Sequence, residues 1–308
     1  MDASLLIKQE ALRLGFSSCG ICRPDFAGQY AGFLKDWLDR GFHGEMGYME
    51  RNLDKRLDSR LLVSDVKSII LTALNYYPSK KQNPEAAQVS YYAYGKDYHI
   101  VVKQKLKALY SFIEREISPV NGRIFCDSAP FAEKYHAVKA GMGWVGKNTQ
   151  LILPGKGSFF FLGSILLDIP LEYDELTLPN RCGDCTKCID ACPTKALVAP
   201  GQLDATRCLS YLSIEYKGEL PDFYKENAEN CVYGCDICNS VCPWNRYAQG
   251  NETEEFQPSE QLLNLSAEKI MQMDEADFDK MFFASPIHRI GLKQLQRNVG
   301  RIGFKAFI

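Results

Sequence analysis

The chain has 308 residues, 46% of them hydrophobic, and a formal net charge of −2. That is enough apolar material for one large domain and a smaller one without disulfide staples, and a charge so near zero argues neither for nor against nucleic acid. No run of 18 apolar residues occurs, and the opening MDASLLIKQEALRLGF lacks the basic start and long apolar stretch of a secretory signal, so no membrane span is expected and a cytoplasmic location is.

Helices and strands alternate through the first part of the chain. Apolar spacing predicts a helix over Ala3–Leu14, a short strand over Ser17–Ile21 and a second helix from Phe26 to Arg40, with Trp37 and Leu38 among its apolar positions. Val66–Leu74 is a continuous apolar run of strand length, suited to a central strand covered on both faces. Tyr98–Ile117 has helical periodicity and a lysine-rich outer face. Arg123–Cys126 is a candidate strand that delivers Asp127 at its end. Thr149–Leu153 and Ser158–Leu167 flank Pro154-Gly155-Lys156-Gly157, which reads as a hairpin turn. A mixed sheet with helices on its faces is expected, closing in a linker of acids and prolines near Pro170–Pro179.

Twelve cysteines need a reason in a compartment where disulfides rarely persist. Nine of them fall between Cys182 and Cys242, a crowding that reads as metal ligation. Cys182-x2-Cys185-x2-Cys188-x3-Cys192-Pro193 has the spacing of bacterial ferredoxins, in which three close thiolates hold one cube and the fourth crosses to another. A zinc site would need only four ligands, usually as two separated pairs. Cys235-x2-Cys238-x3-Cys242-Pro243 repeats the pattern without its first cysteine. By the crossing rule Cys182, Cys185, Cys188 and Cys242 hold one 4Fe–4S cluster, and Cys192, Cys235 and Cys238 hold the other with one more thiolate. Spacing leaves Cys208 and Cys231 both open for that place.

Four stretches then carry a resemblance: GRIFCDSAPFAEKYHAVKAGMGWVGKN (Gly122–Asn148), GSFFFLGSILLDIP (Gly157–Pro170), CGDCTKCIDACPTKAL (Cys182–Leu197) and YGCDICNSVCPWNR (Tyr233–Arg246) closely resemble epoxyqueuosine reductase. The resemblance runs from the first helix to about Arg301. It implies reduction of the epoxide of epoxyqueuosine in tRNA to the alkene of queuosine. It also implies cobalamin fed by two 4Fe–4S clusters, with electrons from an external low-potential donor. Under it Asp127 corresponds to the acid that protonates substrate, and Cys208 to the remaining cluster ligand. Arg56, Lys147, Asn148, Leu151, Leu162, Ser210 and Asp236 correspond to positions near the corrin, as does Asp127 itself. The implied fold class is α+β. A mixed-sheet cobalamin-binding domain (1–175) precedes a ferredoxin-like module with two clusters (176–250) and a C-terminal helical segment ending in a short basic helix (251–308). Members of the family commonly continue into a helical-repeat domain that helps hold tRNA, whereas this sequence stops at Ile308, so that surface is expected to be missing or supplied by another route.

Several features have a plainer reading beside the functional one. Asp127 could cap the helix expected after Pro130. The glycines of Gly141–Lys147 suit either a tight turn or close approach to a cofactor, and Arg56 could be a solvated surface charge. Tyr91, Tyr92, Tyr94 and Tyr98 could stack on a base or corrin, or pack in the core. Cys19 and Cys22 read as buried structural thiols, and Cys126 as core-facing. From Met281 to Ile308 there are five Lys/Arg and no acid, and Arg289, Lys293, Arg297, Arg301 and Lys305 recur every four residues. On one helix that makes a basic stripe suited to an RNA backbone, with Arg289, Lys293 and Arg297 as its contacts. A small-molecule corrinoid reductase akin to the reductive dehalogenases and a plain electron carrier are the rival readings.

Overall fold

The computed structural model describes residues 2–174 and 176–302. The first part contains α1 (Ala3–Arg13), β1 (Ser18–Cys22), α2 (Gly28–Asp39), α3 (Leu53–Leu57), β2 (Ser68–Asn75), β3 (Gln88–Val89), α4 (Tyr98–Glu116), β4 (Gly122–Phe125), α5 (Glu133–Lys139), β5 (Trp144–Val145), β6 (Leu151–Ile152) and β7 (Phe160–Leu167). The cysteine-rich part contains α6 (Lys187–Asp190), β8 (Leu197–Ala199), β9 (Gln202–Leu203), α7 (Leu209–Ile214), α8 (Asp222–Asn227), β10 (Cys231–Tyr233) and α9 (Ile237–Ser240). Then follow α10 (Glu260–Leu263), α11 (Ala267–Gln272), α12 (Glu275–Phe282) and α13 (Gly291–Arg301). Among the described residues no helix is long and apolar enough to cross a membrane.

The central sheet has the order β1-β2-β7-β4. Side chains alternate across a strand, so Ile70 and Leu74 of β2 enter one core while Ile69, Leu71 and Ala73 enter another. Both faces of the apolar run are therefore covered. Every pairing in this sheet is antiparallel, and the parallel pairing expected of a mixed sheet lies elsewhere, between β3 and β10. The reason is the path: Cys22 stands opposite Ile69, so the excursion through α2 and α3 starts and ends at one end of the sheet.

Helix α4 starts where the Asp97 carboxylate accepts the backbone N–H of His99 at 2.9 Å, a side-chain cap on an otherwise orphan donor. Its buried stripe is Val101, Val102, Leu106, Leu109 and Ile113, each position worth about 1.5–3 kcal/mol of burial. It lies on β7 at Gly163, where a Cβ would stand 2.8 Å from Val102 and 2.9 Å from Leu106. Close approach, not a turn, requires that glycine.

Two local expectations differ. The Pro154–Gly157 turn is closed by a single Leu153–Gly157 bridge, after which the flanking strands part: β6 pairs with β5 and β7 joins the central sheet. The stretch near Pro170–Pro179 is pinned at Asp174, which accepts the Ile21 N–H at 2.8 Å and pairs with Lys8 at 2.6 Å. A third core joins the later segments to the first: Tyr94 packs with Leu212, Tyr224 and Tyr233, and these with Phe278, Ile287, Leu295 and Val299.

Candidate functional site

Each cysteine run folds into a tight turn with a one-turn helix, the first closed by a Cys185 N–H to Cys182 carbonyl bond of 3.1 Å. The turns aim the thiols at two separate voids. Cys182, Cys185, Cys188 and Cys242 line a cavity of about 220 Å³ together with Lys147, Arg181 and Arg246. Cys192, Cys208, Cys235 and Cys238 line one wall of a larger cavity of about 510 Å³. Cys231, in β10, lines neither void, although it lies within hydrogen-bond reach of Cys235. Burial, with Cys235 and Cys192 adding to it, pushes the Cys208 thiol up to about 11. Four such thiols stay ionised together only beside a cationic partner such as iron. The backbone N–H of Ala196 already points at the Cys192 sulfur at 3.2 Å. Among the described residues no three of His, Cys, Asp or Glu converge on a single-ion centre.

The larger cavity is also lined by Asp127. It follows β4 with a backbone φ of 58°, a left-handed conformation that costs a non-glycine residue about 1 kcal/mol or more. Three contacts offset that cost. The Tyr98 hydroxyl donates to Asp127 Oδ2, His99 Nε2 lies 3.8 Å from the same oxygen, and the Asp127 N–H donates to Glu133 Oε1 at 3.1 Å. Helix α5 begins at Glu133 with no side-chain cap, so Asp127 is not its N-cap; the first residue of the helix holds Asp127 instead. Tyr98 is itself fixed by parallel stacking on Phe161, ring centroids 4.3 Å apart.

Of the positions expected near a corrin, Asn148, Leu151, Leu162, Ser210 and Asp236 line the same cavity as Asp127. Asn148 is held by its amide donating to Asn239 Oδ1 at 3.0 Å. Asp236 accepts from the Ser90 hydroxyl at 2.9 Å and the Tyr91 N–H at 2.7 Å, tying the cysteine segment to the residues that follow β3. Arg56 and Lys147 fall outside this lining. Lys147 turns to the smaller cavity and donates to the Gly183 carbonyl at 2.6 Å. Arg56 reaches the Tyr48 carbonyl at 3.4 Å, its buried Nε without a partner among the described residues. The glycine-rich loop also serves packing: a Cβ on Gly143 would stand 2.0 Å from the Ile152 carbonyl, so glycine there admits β6 rather than a ligand.

The basic stripe divides. Arg289 lies in a 3-10 turn before α13, lines the large cavity and pairs with Glu215 at 2.8 Å. Arg297 donates to the carbonyls of Tyr216, Gly218 and Leu212 at 2.8–3.1 Å, and Arg301 pairs with Asp222. Lys293 alone of these four is exposed with no ion pair among the described residues, and Lys305 lies outside them. Acids remote in sequence pair with Arg289 and Arg301, and backbone carbonyls take up Arg297.

The remaining cysteines and tyrosines sort by burial. Cys22 and Cys126 are buried and Cys19 half-buried; desolvation pushes Cys19 and Cys22 up to about 12. Tyr92 and Tyr98 reach the large cavity. Tyr91 and Tyr94 pack on each other at 5.4 Å. Sequence reading did not single out Glu133, Lys134 or Met46, which also line the large cavity. The signal for Glu133 was present: a second acid six residues after Asp127 in the same stretch.

A void lined by both clustered thiols and a held carboxyl belongs to an iron–sulfur oxidoreductase. The family description "4Fe-4S double cluster binding domain" matches residues 181–245, and "Epoxyqueuosine reductase QueG, DUF1730" matches residues 56–128. The epoxyqueuosine reductase of Leadbetterella byssophila is 47% identical, over 97% of this chain and 97% of that protein. That of Vibrio cholerae is 43% identical over 95% of this chain and 80% of its own length. Among solved structures, epoxyqueuosine reductase with a tRNA-Tyr epoxyqueuosine-modified stem loop superposes with a TM-score of 0.88 at 30% identity, covering 96% of this chain and 80% of that one. The Streptococcus thermophilus enzyme gives 0.89 at 28% identity, covering 98% and 80%. This chain belongs to the epoxyqueuosine reductase family. It is an oxidoreductase that carries two 4Fe–4S clusters.

Proposed function

We propose that this protein reduces epoxyqueuosine in tRNA to queuosine, with electrons arriving through the two clusters and a proton from Asp127. The observation that carries the reading is that one cavity of about 510 Å³ is lined by Cys192, Cys208, Cys235 and Cys238 and by Asp127. Electron source and proton source meet in one cofactor-sized space.

The residues present fit the groups the family implies. Eight thiols in two quartets suit two cubes with Cys182, Cys185, Cys188 and Cys242 on one and Cys192, Cys208, Cys235 and Cys238 on the other. For cobalamin, Leu151, Leu162, Phe160 and Phe161 offer an apolar wall, while Asn148, Ser210 and Asp236 offer polar groups for the amide fringe of a corrin. When bound, the corrin supplies the strongly reducing centre that the protein side chains cannot. The chain's own part is to hold the substrate ring against that centre, present the Asp127 proton to the epoxide oxygen and keep Asp127 in place through Tyr98 and Glu133. Arg56 and Lys147 act outside this lining, Arg56 by supporting the Tyr48 loop and Lys147 at the outer quartet.

Electrons enter from an external low-potential donor at the quartet of Cys182, and the protein works in the cytoplasm, where thiol ligands stay reduced. Arg289 at the cavity and exposed Lys293 are the RNA-facing cations. The deciding experiment is anaerobic reconstitution with iron, sulfide and cobalamin, followed by turnover of an epoxyqueuosine-bearing stem loop. About eight irons, one corrin and conversion to queuosine are expected. Asp127→Asn is expected to keep both cofactors and lose at least about 10²-fold in rate; an unaltered rate would remove the proton-donor role.

A further inference from the structure

Turning an epoxide into an alkene breaks two carbon–oxygen bonds, forms one carbon–carbon π bond and releases water. The change consumes two electrons and two protons. The external donor supplies the electrons through the clusters, but a single carboxylic acid carries a single proton. A second one must reach the same oxygen before it leaves as water.

Glu133 stands where that proton is needed. It lines the same cavity as Asp127, and its Oε1 accepts the Asp127 backbone N–H at 3.1 Å. We propose that Glu133 is the second acid of this site, holding the Asp127 loop through that hydrogen bond and returning a proton to the Asp127 carboxylate between the two protonations of the departing oxygen. The inference rests on the epoxide reduction proposed above.

The sequence balances as follows. Asp127 gives its proton to the epoxide oxygen as the first carbon–oxygen bond breaks and the opened ring takes up the two electrons supplied through the clusters, leaving a hydroxyl, the electron pair that later forms the π bond, and a carboxylate. Glu133 re-protonates that carboxylate. Asp127 then protonates the hydroxyl as the second carbon–oxygen bond breaks and water departs, and solvent reloads both acids. Burial first, then the Asp127 charge, pushes Glu133 up to about 8, against the pull of the Asp127 N–H and of Lys134. A neutral carboxylic acid is thus held ready at pH 7. The groups around the pair are Lys134 beside it, whose ammonium is occupied by the Thr149 carbonyl at 2.9 Å, the buried thiol of Cys126, and Tyr98 and His99 of α4, which meet Asp127. Glu133 works through Asp127 and is a positioning and relay residue.

Glu133→Gln separates the two parts of the role, because the amide oxygen still accepts the Asp127 N–H while no acidic proton remains; Glu133→Ala removes both. In single turnovers of the reduced, fully loaded enzyme on an epoxyqueuosine stem loop, Glu133→Gln is expected to open the epoxide at near the wild-type rate. Its alkene formation should be slower by about 10²-fold. Glu133→Ala is expected to slow both steps. Wild-type alkene formation should fall as pH rises through about 8, a limb missing from Glu133→Gln. Independently of turnover, the infrared spectrum at pH 7 should contain a protonated-carboxyl band that Glu133→Gln lacks and that wild type loses above about pH 8. Alkene formation by Glu133→Gln at the wild-type rate, or no such band, would overturn the inference. A wild-type enzyme that leaves the epoxide untouched would instead overturn the proposed function.

Discussion

The two thiol-lined voids are built from the same turn, share Asn148 and differ in most of what surrounds them. The outer one, about 220 Å³, is rimmed by Lys147, Arg181 and Arg246, and the loop behind it stands in solvent, with Arg181, Gly183, Asp184, Thr186 and Lys187 all exposed. The inner one opens into a cavity of about 510 Å³ that Asp127, Glu133 and Tyr98 share. Under the proposed function a repeated ligand pattern serves two tasks: cations and solvent suit the outer quartet to exchange with a carrier, and carboxyls with a large void suit the inner one to delivery.

That contrast breaks most sharply at the inner quartet. Cys208→Ala is expected to lower iron from about eight to about four per chain and to abolish turnover, whereas Cys231→Ala keeps about eight; iron analysis after reconstitution checks both. Loss of iron on Cys231→Ala with full iron on Cys208→Ala would reverse the assignment. At the outer quartet, Cys182→Ala should also halve the iron yet leave the large cavity intact. Reduction by a small chemical donor should then suffer less than reduction by a protein donor, a difference read by stopped-flow absorbance. A smaller effect is expected at the acid. Tyr98→Phe removes the donor to Asp127 Oδ2 and should cost about tenfold in turnover, with stem-loop affinity unchanged.

Away from both voids the effects shrink to stability and salt. Arg297→Ala leaves the carbonyls of Leu212, Tyr216 and Gly218 without their donor, at about 1–3 kcal/mol. For a chain of this size that lowers Tm by a few degrees, about 2–4 °C per kcal/mol. Stem-loop binding by the folded fraction should not change. Lys293→Ala should do the opposite: no change in Tm, and a weaker affinity whose salt slope drops by about 1. Equal behaviour of the two variants would restore a continuous stripe.

What the sequence made legible was what depends on near neighbours. Cysteine spacing specifies a turn, so the two runs could be placed at once. The Val66–Leu74 run and the Tyr98–Ile117 periodicity each report their own burial. Pairings across long separations were not legible. The acids that quench the basic stripe, Glu215 and Asp222, lie 74 and 79 residues from their arginines. The Pro154–Gly157 turn looked like a hairpin because its composition is that of one, yet β6 had a partner upstream in β5. Sheet direction depended on where the α2–α3 excursion returns, which no local pattern encodes. For Glu133 the sequence shows a second acid near Asp127 but not what it holds, because its partner is a backbone N–H.

The strand pair β3–β10 bears on how the molecule comes into being. Gln88 and Val89 pair with Cys231 and Tyr233, and Ser90 and Tyr91 bond Asp236, so one wall of the active cavity is completed by residues made some 140 positions after its neighbours. Ribosomes add about 5–20 residues per second, and early segments fold while later ones are still being made. The central sheet can form during that interval, but the cavity stays open until Asp236 has emerged. Loading with metal and cofactor therefore belongs to the end of synthesis, and a nascent chain interrupted before β10 would hold a folded sheet with nowhere to put them.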